Sequence, residues 1–321
     1  METNDNGINI PSNKFDTSGI LKNYGILSVP GKDSSGKKKR NQDSFVFKGN
    51  INKVKDFNIF GVLDGHGTEG HNVSKFASEC IANYIINHPE IIILSDAEKI
   101  YKKLKEDDCK IITEAFVEAD NLLKTASFDA SASGSTCVLI IHAGNHILCA
   151  NVGDSRAIVV FDEKGDNKNL EFYFSEALST DYKPDIPEEE ERIVNSGGVV
   201  RPMKDEDGDE VGPCRVWAKD GDYPGLAMSR SIGDLKGKKI GIIPDPGILE
   251  YDLSEKTRYI VVCSDGIWEF LDNITVREMG KQFYNTKDPN GFCQALVNQA
   301  LYLWEANDEV VDDITAVVAF F

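Results

Sequence analysis

The sequence predicts one α+β domain in which helices cover antiparallel β-structure. Apolar residues recur at helical spacing over 73–85, and again over the stretch from about 96 to 124. Over 137–161 the pattern changes to three apolar runs separated by short turns, which is typical of an antiparallel meander. The 321 residues contain neither an internal repeat nor an interior linker, so we expect a single large domain.

The other elements can be placed in order along the chain. Residues 1–20 are polar and lack periodicity, which predicts a flexible N-terminal arm before a domain that spans 21–321. Residues 201–222 are rich in Asp, Glu, Gly, Pro and Lys, and they predict a long irregular insertion that either serves a site or is mobile. We expect further strands at 24–29 and 258–263, and further helices at 188–195, 275–284 and 291–304.

Composition argues against several classes of protein. The formal net charge of −18 is unfavourable for a general nucleic-acid or anionic-membrane binder. The seven cysteines form no CxxC pair, and several lie in apolar runs, as buried reduced thiols of intracellular proteins do. No apolar run approaches the roughly 18 residues that a membrane span requires. We therefore expect a cytoplasmic protein without membrane or nucleic-acid partners, and a monomer by default.

The stretch Asp64-Gly65-His66-Gly67 directly follows a strand-like apolar run at 57–63. The two glycines allow the backbone to turn sharply and to approach another group closely. Asp64 offers a hard oxygen ligand, and His66 offers a side chain that titrates near neutral pH. A simple turn stabilised by the Asp64 side chain is the alternative interpretation of this stretch alone.

Five aspartates share the same setting, because each stands where a strongly apolar strand begins or ends. They are Asp43, Asp64, Asp154, Asp265 and Asp312. Strand ends align in a sheet, so these side chains can converge, and clustered carboxylates are costly unless a cation compensates them. Carboxylate and carbonyl ligands suit Mg²⁺ or Mn²⁺, whereas no Cys/His set has zinc spacing. The alternative is five independent turn aspartates.

Two such ions could lower the pKa of a shared water and stabilise its in-line attack on phosphorus. His66 would then be available to protonate the departing oxygen. None of the seven cysteines is followed six positions later by an arginine, so a cysteine-based phosphatase loop is absent. No Walker A pattern occurs either, which argues against a P-loop NTPase.

The segment from Gly31 to Arg40 is a basic loop in an otherwise acidic chain. One interpretation is attraction of a phosphate group, for which an arginine can supply two parallel hydrogen bonds. The other interpretation is a solvated loop or a nuclear-import-like patch. The latter would allow a nuclear location in addition to the cytoplasmic one.

Taken together, these motifs resemble the PPM/PP2C family of metal-dependent Ser/Thr protein phosphatases. The resemblance covers nearly everything after about residue 20, and the motifs occur in order. They are Asn41-Gln42-Asp43, the stretch 60–67, Ser133-Gly134-Ser135-Thr136, the stretches 150–156, 178–184 and 226–234, Ser264-Asp265-Gly266-Ile267-Trp268, and Asp312-Asp313-Ile314-Thr315.

The resemblance implies a central sandwich of two antiparallel sheets flanked by helices, with metal ions at one end. It implies that Asp64 bridges two Mg²⁺ or Mn²⁺ ions and that Gly65 contributes its backbone carbonyl. Asp265 and Asp312 would complete the metal ligands, while Asp43 would hold a metal-bound water. Asp154 would help Asp265 to bind a weaker third ion. His66 matches the proposed general acid, and the insertion at 201–222 resembles the flap that influences substrate choice.

Three positions depart from the common family pattern. Gln42 stands where many members carry Glu, and we expect this change to tune the site without abolishing it. Glu269 stands where some members have an Asp near the third metal. The family also uses a basic residue upstream of Asp43 to hold the substrate phosphate. Lys37, Lys38, Lys39 and Arg40 all compete for that role. Lys38 fits it better by its distance from Asp43, Arg40 fits it by its bidentate chemistry, and the choice stays open.

The expected activity is hydrolysis of phosphoserine and phosphothreonine in protein substrates by a hydroxide that bridges the metal ions. One alternative is a catalytically inactive regulatory or scaffold protein on the same fold, which loss of the metal carboxylates would mark. A second alternative is a phosphatase that acts on small phosphorylated metabolites. Comparing the turnover of phosphoproteins with that of free phosphorylated metabolites would distinguish the protein phosphatase from the metabolite phosphatase.

Overall fold

A computed structural model describes residues 8–10, 19–164 and 171–321 of the chain. Most of the predicted N-terminal arm lies outside the described residues, apart from a short strand at Ile8–Ile10 and the last two positions. The strands of the described part are β1 (Ile8–Ile10), β2 (Asn23–Val29), β3 (Ser44–Lys48), β4 (Phe57–Leu63), β5 (Gly65–His66), β6 (Gly134–Ser135), β7 (Cys137–Ala143), β8 (His146–Val152), β9 (Arg156–Lys164), β10 (Glu171–Ala177), β11 (Gly198–Lys204), β12 (Glu210–Ala218), β13 (Pro224–Leu226), β14 (Ile232–Gly233), β15 (Gly247–Asp252), β16 (Thr257–Cys263) and β17 (Ile314–Phe320).

Two large sheets form the centre of the molecule. The first has the strand order β1-β2-β17-β16-β9-β10, and the second has the order β15-β8-β7-β4-β3. Every pairing in both sheets is antiparallel. The predicted antiparallel meander corresponds to β7, β8 and β9, although β9 joins the opposite sheet from β7 and β8.

The two sheets face each other across a core of alternating apolar side chains. In β4, Phe60 and Val62 point into the space between the sheets, where residues such as Ile260 and Val317 meet them. The intervening residues of β4 point to the opposite face. Because both faces are covered, these central strands are continuous apolar runs instead of alternating ones.

Helices cover the outer face of each sheet and complete four layers. The helices of the described part are α1 (Gly70–Asn87), α2 (Pro89–Ile92), α3 (Ala97–Leu123), α4 (Pro187–Asn195), α5 (Asp265–Trp268), α6 (Asn273–Thr286) and α7 (Pro289–Asn307). Helices α1 and α3 pack on the five-stranded sheet, and α6 and α7 pack on the six-stranded sheet. The predicted α+β sandwich flanked by helices is confirmed.

The predicted helix at 96–124 is present but interrupted. Asp96 caps its start by accepting a hydrogen bond from the backbone N–H of Lys99 at 3.0 Å. Residues 106–109 depart from helical backbone angles, with Asp107, Asp108 and Cys109 at positive φ. Apolar periodicity continues on both sides of this break, so the sequence pattern did not reveal it.

The segment 201–222, expected to be irregular, is largely an ordered β-hairpin, and the expectation of irregular structure was wrong. Strands β11 and β12 pair in antiparallel fashion, and Arg201 lies over the ring of Trp217 with its guanidinium carbon 4.6 Å from the ring centroid. The turn residues Asp, Glu and Gly that suggested a loop are concentrated at its tip, over 205–209. A flap role for this hairpin stays a prediction.

Candidate active site

The five aspartates expected to bind metal lie at one end of the sandwich. Asp64 follows β4 and Asp43 precedes β3, and the antiparallel pairing of these strands places both at the same edge. Asp265 and Asp312 stand in the same way beside the paired ends of β16 and β17. Asp154 lies in the turn from β8 to β9, which belong to different sheets.

Neighbouring carboxylates in this group raise the pKa values of Asp64 and Asp265. Burial raises the pKa of Asp64 well above its usual range, and the charges of Asp265 and Asp43 raise it further. Burial also raises the pKa of Asp265 to about 7, together with the charges of Asp154 and Asp312. The group therefore carries electrostatic repulsion that a divalent cation would remove.

Several carboxylate oxygens in this group are buried and have no hydrogen-bond partner among the described residues. They are Oδ1 of Asp43, Oδ1 of Asp154 and Oδ1 of Asp265. The described residues contain no three His, Cys, Asp or Glu side chains already arranged to hold a metal ion. The fit to a hard cation rests instead on the unpartnered oxygens and on the chemistry of the donors, and both suit Mg²⁺ or Mn²⁺.

Two lysines flank the carboxylate group. Lys183 Nζ lies 2.5 Å from Asp154 Oδ2, and Lys39 Nζ lies 3.4 Å from Asp312 Oδ1. Burial alone would lower the pKa of Lys183, but the carboxylate of Asp154 raises it above the ordinary value. Lys183 was not among the predicted site residues. It is the single lysine of the family-like motif 178–184, and that signal could have identified it.

Asp313 is a second residue that the sequence prediction missed. Its buried carboxylate accepts hydrogen bonds from the backbone N–H of Gly31 at 2.7 Å and of Gln42 at 2.8 Å. It therefore holds both ends of the basic loop against the start of β17. The Asp312-Asp313 pair was visible in the sequence, but nothing there distinguished the residue aimed at the backbone from its neighbour.

Gly65 and Gly67 are required by their surroundings. A Cβ atom on Gly65 would lie 2.4 Å from the carbonyl oxygen of Gly70 and 2.6 Å from that of Gln42. Gly67 has a φ of +81°, and a Cβ there would lie 2.5 Å from the carbonyl oxygen of Ala132. The backbone at Asp64 is thereby held close to the loop that carries Asp43.

His66 is fixed by a residue far away in the sequence. Its Nε2 lies 2.8 Å from Oδ2 of Asp234, and Asp234 itself is buried. Burial alone would lower the pKa of His66, but the carboxylate of Asp234 raises it above the ordinary value. Asp234 is the last residue of the family-like motif 226–234. Like several of the other aspartates, it directly follows a strand, β14.

Comparison with known proteins decides the family. The model of the family described as Protein phosphatase 2C matches residues 28–306. The chain belongs to the protein phosphatase 2C family. A probable protein phosphatase 2C of Arabidopsis thaliana, number 35, is 32% identical, and the match covers 97% of this chain and 86% of the relative. A probable protein phosphatase 2C of Oryza sativa subsp. japonica, number 12, is 30% identical, with 89% and 79% covered.

Solved structures of other proteins share the fold. A serine-threonine phosphatase 2C from Toxoplasma gondii superposes with a TM-score of 0.80 at 22% identity, covering 98% of this chain and 99% of the other. A C. elegans sex determining protein gives a TM-score of 0.69 at 17% identity, covering 92% and 64%. At these identities the likeness establishes the shared architecture.

In this 2C-family chain, Lys38 and Arg40, the two favoured candidates for the phosphate-binding role, are both exposed. Lys38 lies in a short bridge with Lys32, and Arg40 is at the end of the loop. Burial and the nearby charge of Arg40 lower the pKa of His71, which indicates that the guanidinium is near the start of α1. Lys39, between the candidates, instead points to Asp312. The choice between Lys38 and Arg40 stays open.

The two other departures from the family pattern differ in their surroundings. Gln42 Nε2 donates a hydrogen bond to the carbonyl oxygen of Gly67 at 2.6 Å, so it ties the Asp43 loop to the Asp64 turn. An amide can make this bond, whereas a carboxylate cannot donate it. The Glu269 side chain is exposed at the end of α5.

The segment that precedes Asp234 is anchored by a buried carboxylate on α4. Glu189 accepts hydrogen bonds from Arg230 at 2.6 Å and from Arg192 at 2.7 Å. The Arg230 guanidinium carbon also lies 3.8 Å from the ring centroid of Tyr182. Burial opposes ionisation of Glu189, but these partners, with Ser229, lower its pKa to about 2. Arg230 therefore joins the segment 226–234 to α4 through Glu189.

None of the helices in the described part of the chain is long and apolar enough to cross a membrane.

Proposed function

We propose that this chain is a Mg²⁺- or Mn²⁺-dependent phosphatase that hydrolyses phosphoserine and phosphothreonine in proteins. The observation that carries the proposal is a set of mutually repelling strand-end aspartates whose buried oxygens lack partners among the described residues. Such a set is poorly suited to packing and well suited to hard divalent cations. Membership of the protein phosphatase 2C family supports a phosphate ester as the substrate.

In this proposal, two or three ions are held by the carboxylates and by the carbonyl of Gly65. Asp64, Asp154, Asp265 and Asp312 would hold the ions directly, and Asp43 would hold a metal-bound water. When bound, such ions supply an activated water and neutralise charge on the phosphoryl group. Lys183 and Lys39 neutralise part of the carboxylate charge at the edges of the group.

The remaining steps are assigned to side chains of this chain. Lys38 or Arg40 binds the phosphate oxygens and orients the ester. His66 donates a proton to the seryl or threonyl oxygen as its bond to phosphorus breaks. A monomer in the cytoplasm or nucleus, with phosphoproteins as its partners, completes the proposal.

The test is release of inorganic phosphate from a phosphothreonine peptide by the full chain, with Mn²⁺, with Mg²⁺ and after EDTA. We expect activity that EDTA abolishes and that added Mn²⁺ restores, and we expect the Asp64→Asn variant to lose it. Asp162→Asn is the matched control, because Asp162 is a buried aspartate that pairs with Arg258 remote from this site. Activity that resists EDTA, or near-normal turnover by Asp64→Asn, would overturn the proposal.

The same assay addresses the alternatives. No phosphate release from any peptide, in a protein that binds Mn²⁺, would support the inactive scaffold. Faster turnover of small phosphorylated metabolites than of phosphopeptides would support the metabolite phosphatase.

A further inference from the structure

The two ring nitrogens of His66 have different surroundings. Nε2 lies 2.8 Å from Oδ2 of Asp234, whereas Nδ1 is buried and has no hydrogen-bond partner among the described residues. A neutral imidazole has one donor and one acceptor nitrogen, and the partner of one nitrogen decides which is which. A carboxylate can only accept, so Asp234 selects the form with a proton on Nε2.

Asp234 is itself held in one position. Its Oδ2 also accepts a hydrogen bond from Ser231 Oγ at 2.6 Å, and its backbone N–H donates to the Ser133 carbonyl oxygen at 2.9 Å. The packing leaves no room for a side chain at Gly134. A Cβ on Gly134 would lie 2.1 Å from Asp234 Oδ2 and 2.7 Å from His66 Nε2. The carboxylate and the ring are therefore fixed against each other by backbone contact.

A buried charged network continues behind Asp234. Lys238 Nζ donates a hydrogen bond to the Ser231 carbonyl oxygen at 2.5 Å and lies 3.2 Å from Asp120 Oδ1. Asp120, on α3, also accepts a hydrogen bond from the backbone N–H of Gly233 at 2.9 Å. The loop that carries Asp234 is thus tied to a helix of the outer layer, which supplies the rigidity that a positioning group needs.

We infer that Asp234 is the positioning residue of His66 and that Nδ1 is the nitrogen that donates the proton. The inference rests on the proposed phosphatase function, in which His66 is the general acid. Nε2–H donates its hydrogen bond to Asp234, so Nδ1–H is the only ring N–H that can donate to a leaving group. Carboxylates that hold a catalytic histidine fix its tautomer and orientation in other enzymes.

The proton balance of the step is simple. The ester P–O bond breaks with its electron pair on the seryl or threonyl oxygen, and the proton on Nδ1 moves to that oxygen. His66 is left neutral, with its remaining proton on Nε2 and bonded to Asp234. The proton released by the attacking water restores Nδ1–H.

The first test is spectroscopic and needs no catalysis. Long-range ¹H–¹⁵N correlation spectra of the full chain, labelled with ¹⁵N-histidine, identify which ring nitrogen of neutral His66 carries the proton. We expect the proton on Nε2 in the unsubstituted chain and a loss of that preference in Asp234→Asn. A neutral His66 with its proton on Nδ1 in the unsubstituted chain would overturn the inference.

The second test is kinetic and uses Asp234→Asn, because asparagine tolerates the φ of +48° found at Asp234. We expect kcat on a phosphothreonine peptide to fall on the order of 10²-fold, with little change in KM. The fall on p-nitrophenyl phosphate, whose leaving group needs no proton, should be much smaller. Combining Asp234→Asn with His66→Ala should be no slower than His66→Ala alone. Additive losses, or equal losses on both substrates, would contradict a role that acts through His66.

Asp162→Asn is the control, because it removes a buried, ion-paired aspartate without touching His66. Its kinetic constants should stay within about twofold of the unsubstituted chain, as expected for a site without shared partners. Failure of the proposed function is recognised separately. In that case the unsubstituted chain releases no phosphate from either substrate, while the nitrogen assignment still stands or falls by its spectra.

Discussion

Ser264 Oγ donates a hydrogen bond of 2.8 Å to Asp43 Oδ2, although the two residues adjoin strands of different sheets. Ser264 follows β16 of the six-stranded sheet, and Asp43 precedes β3 of the five-stranded sheet. The Ser264 hydroxyl oxygen also accepts a hydrogen bond from the backbone N–H of Thr315 at 3.0 Å. One buried hydroxyl thus joins both sheets at the end that carries the aspartates.

Replacement of Ser264 by alanine should lower the free energy of unfolding by about 1–3 kcal/mol, the usual effect of leaving a buried polar group with fewer partners. Urea unfolding measures the change. Ser196→Ala is the control, since Ser196 is exposed and should change stability by less than about 0.5 kcal/mol. Equal stability of the two variants would show that the bond contributes little.

The stability of the metal-free protein should fall as pH rises from about 4 to about 7. The folded-state pKa of Asp265 is raised to about 7 by burial and by the charges of Asp154 and Asp312. An unfolded aspartate titrates near 3.9, so within this window the folded state binds more protons than the unfolded state. The free energy of unfolding then decreases with pH.

Urea unfolding in EDTA at several pH values measures this slope. Asp265→Asn should flatten it and should raise stability near pH 7, because the amide carries no charge. Added Mn²⁺ should stabilise the unsubstituted chain near pH 7 more than the variant. A slope that Asp265→Asn leaves unchanged would assign the pH dependence to other groups.

The His66→Ala variant should discriminate between leaving groups. Without a proton donor, kcat on a phosphothreonine peptide should fall on the order of 10²-fold, whereas p-nitrophenyl phosphate should be slowed only a few-fold. Steady-state kinetics on both substrates measures the ratio. Equal slowing would reject the general-acid role and leave His66 as a structural residue.

Removal of the basic side chain that binds the substrate phosphate should raise KM for a phosphopeptide. Loss of one charge-assisted hydrogen bond corresponds to about 1.5–3 kcal/mol, or roughly a tenfold or larger effect. We expect this result for Lys38→Ala or Arg40→Ala, and little change for the control Lys37→Ala in the same exposed loop. Unchanged KM in both candidate variants would remove this loop from phosphate binding.

Glu189→Gln should destabilise the chain by about 3–5 kcal/mol, because it leaves Arg230 and Arg192 with an uncharged partner in a buried site. The carboxylate has a folded-state pKa of about 2, so its contribution is present above about pH 4.5 and is lost as pH falls towards 2. Thermal unfolding at pH 7 and at low pH measures this dependence. A variant that loses equal stability at both pH values would contradict it.

Much of the fold could be predicted from local patterns. Helical spacing located α1, α3, α6 and α7, and the short apolar runs located β7, β8 and β9. The hairpin of β11 and β12 was missed because its charged turn residues resemble those of a loop. The break in α3 was missed because apolar spacing continues across it.

The sequence by itself determined which residues could form the site, since the setting of an aspartate at a strand end is local and visible in the chain. Only the tertiary structure decided which partners those residues have. Asp234 meets His66, Asp313 holds the basic loop and Lys183 meets Asp154 across long separations in the chain. These contacts depend on strand register and on the packing of two sheets, and a pattern with a period of two or of 3.6 residues contains no information about either.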